Sequence, residues 1–209
     1  MKVLSIDIGI SNLGYCYTEL TFPELVGSKY KNFKNNEQYS FENTKNYIKV
    51  ISCNRIDITK VKHLKVQFCN CKLHHERCIP DYLDHFIQEH SDIFYESDLI
   101  LIERQPPVGI TNVQDLLFTK FRDKVKLVSP NTVHKYFGLP SIYEERKVIS
   151  ETIAHDFLIN FEKFTLNSRK HDISDSMLMI IYYFKIELDR IIENTKFELP
   201  AINFEQFRL

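Results

Sequence analysis

The opening residues alternate. In VLSIDIG, Leu4, Ile6 and Ile8 fall on one side of an extended chain and Val3, Ser5 and Asp7 on the other, the two-residue period of a strand. Gly9 and the Ser11-Asn12 pair supply a turn, and LGYCYTEL reads as a second strand, so an antiparallel hairpin is predicted. The β-branched run YIKVISCNRIDI predicts a third strand. Tyr82, Leu83, Phe86, Ile87 and Ile93 recur at helical spacing within Ile79 to Phe94. The four consecutive apolar residues Leu99 to Ile102 predict a central strand covered on both faces, ending at Glu103 before the helix-incompatible QPPVG. A helix capped by Thr111 or Asn112 runs to about Asp123, VKLVSP is a fifth strand, and NTVHKYFG a short helical turn. Helices follow from about Tyr143 to Phe161 and Asp172 to Ile192, giving an α/β mixed sheet with helical cover.

Between these elements two segments carry little period. Thr21 to Asn46 is polar and rich in Lys and Asn, a basic loop or insertion around 21–46, and a Cys- and His-containing segment spans 55–78. At 209 residues, 44% hydrophobic and 26% charged, the chain fits one compact domain over 1–209. No run approaches the roughly 20 apolar residues of a membrane span, and no signal segment marks export. The expectation is a soluble intracellular protein.

Charge changes this picture through its distribution. A net charge of −1 argues against a nucleic-acid binder, since phosphate contacts need Lys and Arg. Leu20 to Cys78, however, holds 11 Lys and Arg against 5 Asp and Glu, so the chain totals of 27 and 28 leave 16 against 23 elsewhere. A solvated basic loop beside an acidic helical surface would account for this equally. Arg55, Lys60, Lys62, Lys65, Lys72 and Arg77, after the third strand, are the candidate phosphate contacts.

The odd number of cysteines, five, argues against a disulfide framework. In FCNCKLHHERC, the residues Cys69, Cys71, His74, His75 and Cys78 form a candidate ligand set for one structural Zn²⁺, although the spacing is not the usual C-x₂-C and a plain thiol cluster is the alternative.

The candidate chemistry lies in the acids. An ionised carboxylate within a buried strand must be paired, bound to a cation or turned to a wet cleft, which is the problem Asp7 poses. Asp172 and Asp175, in RKHDISDSMLMIIYYFKIELDR, lie on one helix face beside an apolar stripe of Ile173, Met177, Ile180, Ile181 and Phe184. Two acids in a first helical turn also serve the helix dipole and cap. Set beside Asp7 and Glu103, they suggest a cluster needing hard divalent cations, which can activate water and stabilise a leaving oxygen in phosphodiester hydrolysis.

Asp7 within SIDIGISNLGYC, Glu103 within LILIERQ and the last helix opening KHDISDS resemble the ribonuclease H-like superfamily, and more closely the RuvC-type Holliday junction resolvases of poxviruses and related large DNA viruses. The resemblance implies a mixed five-stranded sheet, its first three strands antiparallel, with helices on both faces. It implies that Asp7, Glu103, Asp172 and Asp175 bind Mg²⁺ or Mn²⁺, with Lys147 in YEERKVISE as the assisting basic residue and Arg146 and Lys170 as rivals. A surface Lys147 paired with Glu151 is the plainer alternative. It also implies a homodimer making symmetric nicks across four-way DNA junctions at viral replication sites in the host cell.

Other readings keep the fold and change the substrate, to RNA–DNA hybrids or a transposase-like reaction. An actin-like sugar kinase or ATPase also places an Asp and glycines after its first strand, but needs a second glycine-rich phosphate loop, and this chain has five glycines in all. A non-catalytic DNA-binding relative would have no reason to keep four acids.

Overall fold

The computed structural model describes residues 1–9, 11–23, 44–60, 78–106 and 111–198, with side chains described as far as residue 194. Its strands are β1 (Lys2–Ile8), β2 (Asn12–Leu20), β3 (Ile48–Asp57), β4 (Leu99–Glu103) and β5 (Val125–Val128). They form one sheet in the order β3-β2-β1-β4-β5. β1 pairs antiparallel with β2, and β2 with β3, whereas β1–β4 and β4–β5 are parallel. This is the expected mixed sheet, and its parallel half brings the C-terminal ends of β1 and β4, bearing Asp7 and Glu103, to the same edge.

The helices are α1 (Ile79–Glu89), α2 (Ser91–Tyr95), α3 (Asn112–Lys120), α4 (Pro130–Tyr136), α5 (Tyr143–Leu158), α6 (Glu162–Thr165) and α7 (Lys170–Glu198). The strand alternation divides the core. Leu4, Ile6 and Ile8 pack under Leu83, Phe86 and Ile87 of α1 and Val113 and Leu117 of α3. On the opposite face Val3, Cys16 and Cys53 pack under Val133, Leu158 and the stripe Ile173, Met177, Ile180, Ile181 and Phe184 of α7. Helices thus cover both faces.

Some boundaries differ from expectation. The helix expected over Ile79 to Phe94 is two helices, broken at His90, whose φ of −115° and ψ of 31° leave the helical region. Thr111 occupies the cap position of α3 without a side-chain cap bond. The helix expected to reach Asp123 stops at Lys120 and passes into a 3₁₀ turn over Arg122–Lys124. α7 starts two residues earlier than expected, at Lys170. The loop expectation for Thr21 to Asn46 falls mostly outside the described residues. Among the described residues, no helix is long and apolar enough to cross a membrane.

Candidate active site

Gly14 lets α7 reach the sheet. It stands opposite Asp7 in the β1–β2 ladder, and a Cβ built on it would collide with the carbonyl oxygen of Asp172. Only a residue without a side chain admits that approach. Ser176 then stitches the helix down: its hydroxyl donates to the Gly14 carbonyl at 2.7 Å and accepts the Asp7 amide at 3.2 Å. The buried Cys16 thiol donates to the Ile173 carbonyl at 3.5 Å. The first turns of α7 are thereby fixed beside the end of β1.

This docking brings three acids from three elements together. Asp7, Glu103 and Asp175 line one cavity of about 30 Å³ with Pro130, Val133, His134 and Met179, room for roughly two water-sized species. Burial raises the proton affinity of Asp7 well above the usual carboxylate range, and the charge and hydrogen bond of Glu103 raise it further, followed by Asp175 and Asp172. Asp175 is pushed up to about 6, chiefly by burial; the Ser150 hydroxyl offsets this, Glu103 and Asp172 add to it, and the Arg146 charge opposes it. Glu103 accepts a hydrogen bond from Gln105 Nε2 at 3.0 Å, and the same amide donates to the Ile8 carbonyl at 3.1 Å. The Gln105 amide N–H in turn donates to Gln114 Oε1 at 2.7 Å, so Gln105 ties the end of β4 to β1 and α3.

Asp172 is placed differently. It does not line the cavity, and its carboxylate accepts Arg55 Nε from β3 at 2.8 Å while Arg169 Nε stands 3.3 Å away and His171 Nε2 3.0 Å away. The expected pair on one helix face is present, but the two carboxylates have separate company. Among the described residues, no three His, Cys, Asp or Glu side chains are gathered closely enough to hold a metal ion as they stand. The chemistry of the donor set nevertheless fits a hard divalent cation: oxygen ligands from carboxylates that share a small cavity, crowd one another's charge and lack a counter-charge inside it.

Of the expected basic residues, Lys147 lies with its ammonium 3.9 Å from the centre of the Tyr143 ring and 3.7 Å from Glu144, three residues before it, rather than paired with Glu151. The Tyr143 hydroxyl holds its proton affinity up. Arg146 donates to the Ser141 carbonyl at 3.2 Å, and its charge reaches both Asp175 and His134. Lys170 lies over the Phe164 ring at 5.6 Å. Lys60 is exposed beside Asp57 at 3.4 Å. Arg55, expected to meet phosphates, is engaged with Asp172. Lys62, Lys65, Lys72 and Arg77 lie outside the described residues, as do Cys69, Cys71, His74 and His75 of the zinc set. Cys78, like Cys16 and Cys53, is a free thiol.

Sequence reasoning missed Gln105, His134, Arg169 and Ser176. A signal existed for Gly14, since counting back through a tight hairpin places it opposite Asp7, and for Ser176, which follows Asp175. None existed for His134, whose place depends on how α4 packs after β5.

A hairpin, a third antiparallel strand, two parallel strands and a long helix laid across the carboxylate end of β1 define a ribonuclease H-like fold. More narrowly, the fold is similar to that of the fowlpox virus resolvase, whose complex with substrate Holliday junction DNA superposes with a TM-score of 0.57 at 17% identity, over 90% of this chain and 99% of that one. The fowlpox virus Holliday junction resolvase in a second structure gives 0.55 at 16% identity, over 89% and 99% of the two chains. RuvC of Thermus thermophilus gives 0.48 at 11% identity, over 90% and 97%. No protein-family model matches the sequence, and no curated protein matches it.

Proposed function

We propose that this protein is a metal-dependent, structure-selective endonuclease that resolves four-way DNA junctions by paired symmetric nicks, acting as a homodimer. One observation carries the reading: within a fold similar to that of a resolvase, carboxylates from β1, β4 and α7 share one small cavity that no Lys or Arg lines. The fowlpox protein of that fold is a Holliday junction resolvase, and its structure with junction DNA supports branched DNA as the substrate class here.

In this reading Asp7, Glu103 and Asp175, with Asp172 one turn away, hold Mg²⁺ or Mn²⁺, as the donor chemistry allows. When bound, such ions supply the charge that activates water and stabilises the leaving oxygen of a phosphodiester. The chain's own work is placement. Gln105 keeps the Glu103 carboxylate aimed at Asp7, Ser176 fixes the Asp7 backbone against α7, and Pro130, Val133 and Met179 keep bulk water from the cavity floor. Arg146 supplies positive charge next to Asp175, where a scissile phosphate would gather negative charge, and Lys147 on the next residue would turn from Tyr143 to meet a flanking phosphate. Arg55 and Lys60, with Lys62, Lys65, Lys72 and Arg77, would contact the DNA backbone.

Nicking of a synthetic four-way junction, a linear duplex and an RNA–DNA hybrid in Mg²⁺ tests this. The expected result is paired nicks at symmetric positions in the junction alone, abolished by chelation. Equal cutting of all three would refute junction selectivity, and cutting of the hybrid alone would favour a ribonuclease H-type activity.

A further inference from the structure

The Arg55 guanidinium bridges three elements. Its Nε meets Asp172 on α7 at 2.8 Å and its Nη2 donates to Asn12 Oδ1 at 2.6 Å, from a place on the edge strand β3. Asn12 is itself the residue whose carbonyl accepts the Gly9 amide at 2.8 Å, closing the turn that follows Asp7. Both charged side chains are largely buried, with 20% of Arg55 and 10% of Asp172 exposed. A carboxylate so paired, with Arg169 as a second arginine, has its charge met and lies outside the cavity that its three companions line. Among the described residues no three such side chains are gathered around a cation as they stand, with Asp172 or without it.

A guanidinium fork fits a phosphate as well as it fits a carboxylate. Lys60, five residues on from Arg55, is exposed, so a DNA backbone drawn to it would pass near Arg55. Transfer of the fork from Asp172 to a phosphate would leave its carboxylate with only the half-exposed Arg169 and His171 beside it, one helical turn from Asp175 on the same face. Such a charge favours a divalent cation in its place.

We propose that Arg55 is a positioning residue that competes with the divalent cation for Asp172, and that a phosphate of bound DNA removes the competitor. The inference rests on the nuclease reading above and adds that the cation site is completed only on DNA. Linkage then requires reciprocity: DNA tightens cation binding and the cation tightens DNA binding by the same factor. Hydrolytic competence is withheld until the substrate is seated.

The test is Mn²⁺ binding to the DNA-free full chain at pH 8, followed through the paramagnetic resonance signal of the free ion. Arg55→Gln should bind Mn²⁺ about fivefold or more tighter than wild type, within the usual range of coupling, and Arg55→Gln with Arg169→Gln tighter still. Asp172→Asn should erase the gain of Arg55→Gln, a coupling that a merely structural role for Arg55 would not give. Equal or weaker Mn²⁺ binding by both arginine variants would overturn the proposal. Arg55→Lys keeps the charge and loses the fork; it should fall between wild type and Arg55→Gln, and it carries the test where near-ultraviolet circular dichroism shows that Arg55→Gln has not folded. On junction DNA, the gain in affinity from Ca²⁺ over chelator should shrink in Arg55→Gln, and an undiminished gain would also overturn it. Asp7→Asn separates the two claims: it should abolish Mn²⁺ binding in every background, and unchanged binding there would refute the acid site itself rather than the role of Arg55.

Discussion

Asp172 and Asp175 stand three residues apart on α7, yet they live in opposite electrostatic surroundings. Asp175 shares a cavity with Asp7 and Glu103, and burial with like charge raises its proton affinity to about 6. Asp172 is met by Arg55 and Arg169. The difference teaches that a carboxylate cluster at the end of a sheet is two devices: a set whose charge is left open for a cation, and a neighbour whose charge is already spoken for by the chain. An unmet charge is a cost in the cation-free fold and the source of affinity for a cation.

The largest effect expected on this comparison comes from erasing it. Gly14→Ala would drive a methyl group into the Asp172 carbonyl, and the start of α7 must move. Overpacking of this kind costs roughly 1–3 kcal/mol or more, and at about 2–4 °C per kcal/mol the melting temperature should fall by up to about 12 °C, with junction cleavage lost. An unshifted melting curve with normal cleavage would mean that α7 does not rest on Gly14. Next, Gln105→Ala releases Glu103 from its orienting amide. Loss of such a supporting hydrogen bond should lower cleavage about 10- to 100-fold in single-turnover assays while junction binding holds.

The sharpest contrast is the same substitution at the two aspartates. Asp172→Asn unpairs a largely buried arginine and should destabilise the cation-free protein by roughly 1–3 kcal/mol. Asp175→Asn removes a crowded charge and should stabilise it by about 1 kcal/mol, roughly 2–4 °C in a thermal melt at pH 8. Shifts of the same sign would dissolve the distinction.

The smallest effect is on pH. Asp7 and Asp175 hold protons more tightly in the fold than their ordinary value of 3.8, so the native state binds more protons than the unfolded one above that value. Their stabilising contribution is full below about 3.8 and is lost as pH rises through about 6 for Asp175 and through the raised range in which Asp7 titrates. Melting temperature in chelator should therefore decline by a few degrees from pH 4.5 to 8 through these two groups, and Mg²⁺ should restore it at pH 8. The double variant Asp7→Asn, Asp175→Asn should flatten this part of the profile.

Much of this was legible because local pattern and buried strands constrain each other. The alternation in VLSIDIG put Asp7 on the side opposite Leu4, Ile6 and Ile8, the side that α7 covers, and LILIER placed Glu103 at the end of a strand buried on both sides. The stripe from Ile173 to Phe184 marked the last helix as one that packs on the sheet, which brings its first turn to the strand ends. What could not be read were contacts set by the third dimension. Arg55 and Asp172 are 117 positions apart and meet only because Gly14, between their elements, lets a helix touch a strand. The break at His90 was hidden because Ile93 continues the apolar spacing across it, while the backbone leaves the helix at one residue. Gln105 looked like the start of a loop, yet its side chain is what orients Glu103.

The most direct test of the central claim uses one substitution and two readings on one sample: Asp7→Asn, with junction affinity in chelator and single-turnover junction cleavage in Mg²⁺. The account predicts wild-type affinity with cleavage lost. Cleavage by Asp7→Asn at the wild-type rate would contradict it.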